Sequence, residues 1–205
     1  MIDYNQPWQT LNIDVSNAVR NDFDFDKLFN ESEFKNGQAG IWRFERKHFT
    51  KLLSQEWIDQ MHALGLMVQA ALVFYRKPYY FHHEAHVDVS WTGDLCSSAI
   101  NWTMDPLDDS EMIWYDVSID TAKTEITQAN TKYFYWPNSE VEGKIFASKR
   151  IGVTPTLVNV SVAHNIIVRE RPRWAISVRL GQSEPKTWKE AVDFFRPFIV
   201  ENARS

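Results

Sequence analysis

Only one cysteine, Cys96, occurs in 205 residues. That excludes an intrachain disulfide framework and any cysteine-rich metal site. Glycine is also scarce, at seven, and no G-x-G-x-x-G or P-loop pattern occurs anywhere. The nucleotide-cradling α/β classes therefore lack their signature. No apolar run approaches the roughly 20 residues that a membrane helix needs. The opening MIDYNQPWQT has neither the basic stretch nor the apolar stretch of a secretory signal. These absences set the expectation of a soluble, cytoplasmic protein with no membrane partner. Basic residues are outnumbered, 22 Lys and Arg against 27 Asp and Glu for a net charge of -5. A general nucleic-acid binder needs a basic surface to displace condensed counterions, so no nucleic-acid partner is expected.

What the chain has in quantity is rings: nine Trp, thirteen Phe and seven Tyr. They suit a core filled by large side chains. No repeat, low-complexity tract or linker divides the chain, which reads as one domain over 1–205. Within 51–64, Leu53, Trp57, Met61 and Leu64 form one helical stripe, and Gly65 follows as a C-terminal cap. Near the other end, Thr187 and Glu190 have capping-box spacing, Trp188, Ala191, Val192 and Phe195 form a stripe, and Pro197 marks the stop. A shorter helix is expected within 24–34.

Between these helices lie short runs rich in Val, Ile, Tyr, Phe and Trp: 67–75, 79–90, 96–104, 111–117, 132–136, 144–151, 157–168 and 173–180. They read as strands. With no helix-length segment between them, they cannot be joined as βαβ units, which need a dozen or more connecting residues. The expected fold is mainly β with flanking helices: an antiparallel jelly roll or barrel with its core at about 67–181.

Three of the six histidines, His82, His83 and His86, fall in one short segment. Side chains alternate along a strand, so His86 and Asp88 share a face and Val87 points the other way. Two ligands at that spacing make half a metal site. His164 is the candidate third ligand from the strand-rich downstream half, on a face with Val158, Val160 and Val162. A hydrogen-bonded core histidine has the same pattern. Nine positions on, Arg173 opens a strand whose one face carries Arg173, Ala175, Ser177 and Arg179. An arginine and a serine four apart on one face suit a carboxylate, gripped by the guanidinium and helped by the hydroxyl. An amphipathic strand with a wet face gives the same pattern. Taken together, the residues form the two-His-one-carboxylate set of non-haem Fe(II) oxygenases, with an anchor for an acid beside it.

The run His86-Val87-Asp88, then His164, then Arg173-Trp174-Ala175-Ile176-Ser177 resembles the Fe(II)- and 2-oxoglutarate-dependent oxygenases. The last stretch resembles the prolyl hydroxylase branch. The resemblance covers about half of the chain, 79–180. It implies a double-stranded β-helix of eight strands flanked by N-terminal helices. It also implies Fe(II) held by His86, Asp88 and His164, and 2-oxoglutarate as cosubstrate with its far carboxylate on Arg173, helped by Ser177. Dioxygen and a small-molecule or peptidyl substrate complete the implied reaction. Two features depart from the family pattern. The His86-to-His164 gap is long, which points to an insertion around 119–142. Where the family often supplies a tyrosine to the cosubstrate, the comparable strand here offers Asn101 beside Trp102. Arg179 is the alternative anchor. Two other readings use the same barrel: a cupin-like metalloenzyme that recruits His82 or His83 and needs no 2-oxoglutarate, and a non-catalytic jelly-roll binding domain.

Trp91, Trp102, Trp114, Trp136 and Trp174 are candidates for core or for a substrate pocket, and Cys96 reads as a small buried hydrophobe. The turn-rich run 105–110 reads as a loop at the barrel mouth.

Overall fold

The structure, a computed structural model, describes residues 2–32, 37–80, 84–89, 94–126, 132–180 and 187–200, with the side chains of 46, 47 and 132 left aside. In chain order the elements begin with β1 (Trp8–Thr10), α1 (Phe25–Asn30), β2 (Ala39–Glu45), α2 (Gln55–Ala63), β3 (Val68–Arg76) and β4 (Glu84–Val87). Then come β5 (Ser98–Thr103), β6 (Glu111–Tyr115), β7 (Lys123–Ile126), β8 (Lys132–Pro137), α3 (Asn138–Val141) and β9 (Ile145–Arg150). The chain continues through β10 (Thr156–Asn159), β11 (His164–Ile167), β12 (Arg173–Leu180) and α4 (Trp188–Phe195).

The strands form two six-stranded sheets, β1-β10-β5-β12-β3-β2 and β7-β8-β4-β11-β6-β9. Every pairing between these strands is antiparallel. The protein is thus mainly β with few helices, as the strand-rich composition predicts. The stretch in which an insertion is expected carries β7, β8 and α3, and β7 and β8 extend the second sheet beside β4.

Alternation along β12 sorts the two faces of the first sheet. Ile176, Val178 and Leu180 join Val73, Ile100 and Leu157 in the largest core cluster, where Trp57 and Met61 of α2 and Val192 and Phe195 of α4 cover them. Arg173, Ala175, Ser177 and Arg179 take the opposite face, toward the second sheet. The two sheets meet through Ala99 and Val158 of the first and Met112 and Trp114 of the second. Trp114 also donates from Nε1 to the carbonyl of Asn159 at 2.8 Å.

The local signals explain the helix ends. Ser54 caps α2 by accepting from the Trp57 backbone N–H at 3.1 Å. Gly65, at φ +77°, closes it with the left-handed turn that glycine tolerates best. The helix starts at Gln55, later than the expected 51, because 46–51 forms a 3₁₀ segment. At α4 the capping box is complete: Thr187 N–H donates to Glu190 Oε2 at 3.0 Å, and Glu190 N–H to Thr187 Oγ1 at 3.2 Å. Thr187→Ala removes one half of that exchange and costs about 1 kcal/mol. We expect the melting temperature to fall by about 3 °C, read by calorimetry against the unaltered protein.

Three strands were not expected. β1 has only three residues, β7 is exposed along its whole length, and β2 pairs with β3 at the sheet edge. The expected strand 157–168 is two strands, β10 in the first sheet and β11 in the second. The chain turns where Asn159 Oδ1 accepts from the Ser161 N–H at 3.1 Å and from its hydroxyl at 2.8 Å. Val160 and Ala163 stay buried through the corner, so the apolar alternation runs on without a Gly or Pro to mark the break. Of the expected strand 79–90, only Glu84–Val87 is regular among the described residues.

Candidate metal centre

The second sheet brings the distal histidine to the first. His164 of β11 stands directly opposite His86 of β4 in the antiparallel register, so both side chains leave the same face. Their ring centroids are 4.6 Å apart. Asp88 lies just past the end of β4, where its N–H donates to the Val160 carbonyl and its own carbonyl accepts from Cys96 N–H, at 2.9 and 3.0 Å. Its Oδ1 is 3.8 Å from His86 Nε2 and 3.7 Å from His164 Nε2. One ligand atom from each of the three residues lies within 4.8 Å of the others, so the group could hold a metal ion.

The protonation states suit that role. His164 Nδ1 is 2.9 Å from the Val162 carbonyl. A carbonyl oxygen only accepts, so the proton sits on Nδ1 and the Nε2 lone pair faces Asp88. Burial holds the imidazole below its usual value, against the pull of Asp88, which keeps it neutral near pH 7. Burial alone would push the Asp88 carboxyl up. His164, Arg179 and His86, all cationic in the acid range where a carboxyl titrates, outweigh that push, and a hydrogen bond from Arg179 adds to them, so the carboxylate is ionised at neutral pH.

The two interior arginines of β12 do different things. Arg179 donates from Nη2 to Asp88 Oδ2 at 2.8 Å and from Nη1 to Ser177 Oγ at 3.2 Å. It therefore occupies the carboxylate oxygen that faces away from the histidines. Arg173 is 4% exposed, and its Nε has no hydrogen-bond partner among the described residues. Its nearest counter-charge is Asp108 Oδ2 at 4.0 Å. Burial pushes its guanidinium down to about 10, opposed by Asp108, so it is charged at neutral pH. Asn101 stands opposite Ser177 in the sheet, with a buried Oδ1 that lacks a partner among the described residues.

Sequence reasoning missed three residues beside this cluster. Asp108 belongs to the expected mouth loop, yet it is 1% exposed and is held by the N–H and hydroxyl of Ser110 at 3.0 and 2.8 Å. Arg76 stands opposite Arg173 in the register of β3 and β12. Tyr133 of β8 lies 5.8 Å from His86, ring to ring, and burial together with Glu84 and Asp88 holds its phenol far above the usual value. The available signals were the Asp-x-Ser turn for Asp108 and the interior parity of β3 for Arg76. Register, which the sequence does not show, was needed to place Tyr133.

The other candidates fall elsewhere. Trp102, Trp114 and Trp136 are buried in the core, and Trp174 packs with Phe25, Trp42 and Tyr75. Cys96 is buried where the two sheets meet. His82, His83 and Trp91 lie outside the described residues. Among the described residues no helix is long and apolar enough to cross a membrane.

Fold and centre together define a mainly β protein whose second sheet carries a His–Asp–His cluster able to take a metal ion. No protein-family model matches the chain, and no curated protein matches it. Among solved structures it is similar to the crystal structure of AviO1 from Streptomyces viridochromogenes Tue57. The two share 12% identity over 77% of this chain and 80% of that one, with a TM-score of 0.36. A likeness so distant carries no argument for the chemistry.

Proposed function

We propose that this chain is an Fe(II)- and 2-oxoglutarate-dependent oxygenase that hydroxylates a small-molecule or peptidyl substrate. The observation that carries the reading is the convergence of His86, Asp88 and His164 from two strands and a strand end. Neighbouring ligands of one first-row ion stand about 3 Å apart, and the separations of 3.7 and 3.8 Å need only small side-chain movements to reach that. Two imidazoles and one carboxylate are the donor set of the facial triad, which leaves three positions for a chelating 2-oxo acid and dioxygen.

The fold supports the same reading. Setting aside the edge strands β1 and β2 and the inserted β7 and β8, eight strands remain, four in each sheet. The chain crosses between the sheets repeatedly, as a double-stranded β-helix of the jelly-roll type requires.

His86, Asp88 and His164 would hold the iron, which would supply the oxidation, with one atom of dioxygen going to the substrate as hydroxyl, the other to succinate, and carbon dioxide lost. The protein's own groups orient and shield the reactants. Arg173 takes the distal carboxylate of 2-oxoglutarate in an interior where an unpaired anion would be costly to bury. Arg179 fixes Asp88 with Oδ2 occupied and Oδ1 presented to the histidines. The Val162 carbonyl fixes the tautomer of His164.

The donor set alone also fits a cupin-like or hydrolytic metal site. The buried Arg173 favours the oxygenase, because such a site has no use for a buried guanidinium whose Nε is left without a hydrogen bond among the described residues. The test is to add Fe(II) and 2-oxoglutarate to the protein without oxygen. We expect a visible absorption band that needs both additions, then succinate release when air and ascorbate are supplied. Iron binding without any response to 2-oxoglutarate would favour the cupin-like reading. Binding of neither would favour the non-catalytic one.

A further inference from the structure

The interior face of the first sheet carries more positive charge than one acid cosubstrate needs. Arg76 and Arg173 are direct cross-strand partners, so two guanidinium groups leave the same face side by side. Asp108 serves the pair only distantly, 4.0 Å from Arg173, and both of its oxygens are already bonded by Ser110. Arg76 has no ion pair among the described residues. The titratable groups that bear on it are the phenols of Tyr80 and Tyr133, and Arg173 in turn feels Arg76 as a like charge.

Arg76 is nevertheless fixed in place. Its Nη1 donates to the carbonyls of Gly40 at 3.1 Å and Tyr75 at 2.8 Å, which uses both hydrogens of that nitrogen. The Cζ atom lies 5.7 Å from the Phe74 ring centroid and 5.2 Å from that of Tyr80. Carbonyls and ring faces orient a guanidinium without neutralising it. The edge left over is the Nε–Nη2 fork, whose two parallel N–H groups match a planar carboxylate. Arg76 stands on the interior face that Arg173, Ser177 and Arg179 share, and Arg179 on that face reaches Asp88 of the metal centre at 2.8 Å.

We infer that the substrate oxidised at this centre is an organic acid, and that Arg76 binds its carboxylate while Arg173 keeps the cosubstrate. This rests on the oxygenase reading and adds the substrate class. One guanidinium then serves each acid, and the ring faces of Phe74 and Tyr80 favour an acid with an aromatic or apolar body next to its carboxylate.

The test uses 3-phenylpropanoate and its neutral amide as probes. Each is titrated by calorimetry into protein loaded with Mn(II) and saturating 2-oxoglutarate. We expect the acid to bind and the amide to bind at least tenfold more weakly. Arg76→Gln should weaken the acid at least tenfold and leave the 2-oxoglutarate affinity within threefold. Arg173→Gln should do the reverse. If Arg76→Gln does not fold, as judged by circular dichroism, Arg76→Lys carries the test, since it keeps the charge and loses the fork. The same selective weakening of the acid is expected there. Equal binding of acid and amide overturns the inference. So does loss of 2-oxoglutarate in the Arg76 variants, which would mean that both arginines serve one acid. Failure of the acid to bind protein that does take Mn(II) and 2-oxoglutarate overturns the inference and spares the oxygenase reading. Failure to take either overturns both.

Discussion

Alanine at His86, Asp88 or His164 should abolish the proposed 2-oxoglutarate turnover and leave the sheets intact. Residues that merely orient a metal ligand are worth 10- to 100-fold in affinity or activity, so loss of a ligand itself should exceed about 100-fold. The three substitutions differ in their side effects. His164→Ala removes a ring that is 4% exposed and frees the Val162 carbonyl from its donor. Asp88→Ala leaves Arg179 without the carboxylate that it holds at 2.8 Å and costs about 2 kcal/mol in stability as well. His86 is less buried than His164, and its loss should be the mildest for folding. The measurements are succinate release, Fe(II) binding and thermal melting of each variant. Full turnover in any one of them would remove that residue from the triad.

Arg173→Gln separates catalysis from stability. A paired, charge-assisted hydrogen bond to a carboxylate is worth about 1.5–3 kcal/mol, so the 2-oxoglutarate requirement should rise by roughly 10- to 150-fold, with metal binding unchanged. Stability should change little, because the cation removed has its nearest counter-charge 4.0 Å away and the Asp108 carboxylate keeps both of its bonds from Ser110. Asp108→Asn acts on the same pair from the other side: it takes away that counter-charge and should lower the melting temperature. Titration of 2-oxoglutarate in steady state, with a melt of each variant, reads both effects. An unchanged requirement in Arg173→Gln would hand the anchoring role to another cation. Arg179 is a poor successor, since its two terminal nitrogens are engaged by Asp88 and Ser177.

How much of this was legible in the sequence varied with the distance over which each residue's partners lie. β12 was read to the residue, Arg173–Leu180, because its strict alternation has one period and one register. The α4 cap was legible because all its partners lie within four residues. His86 and Asp88 could be paired by parity along the chain. That they meet His164 depends on the β4–β11 pairing, which sequence reasoning reached only through a resemblance. Asp108 was overlooked because Asp-Pro-Leu-Asp-Asp-Ser reads only as a turn, and a turn whose carboxylate is folded inward is spelled with the same residues. β2 was overlooked although Trp42 and Phe44 alternate with Arg43 and Glu45.

The corner between β10 and β11 has a consequence for variation. Within four residues it holds the Val160 carbonyl bonded by Asp88 N–H, the Val162 carbonyl bonded by the His164 ring, and the Ala163 carbonyl bonded by Tyr115 N–H. One short stretch is therefore the gauge that spaces two of the three chelating groups. Lengthening it by a single residue would rotate the imidazole off its mark, whereas the exposed edge strand β7 should tolerate substitution with the gauge untouched.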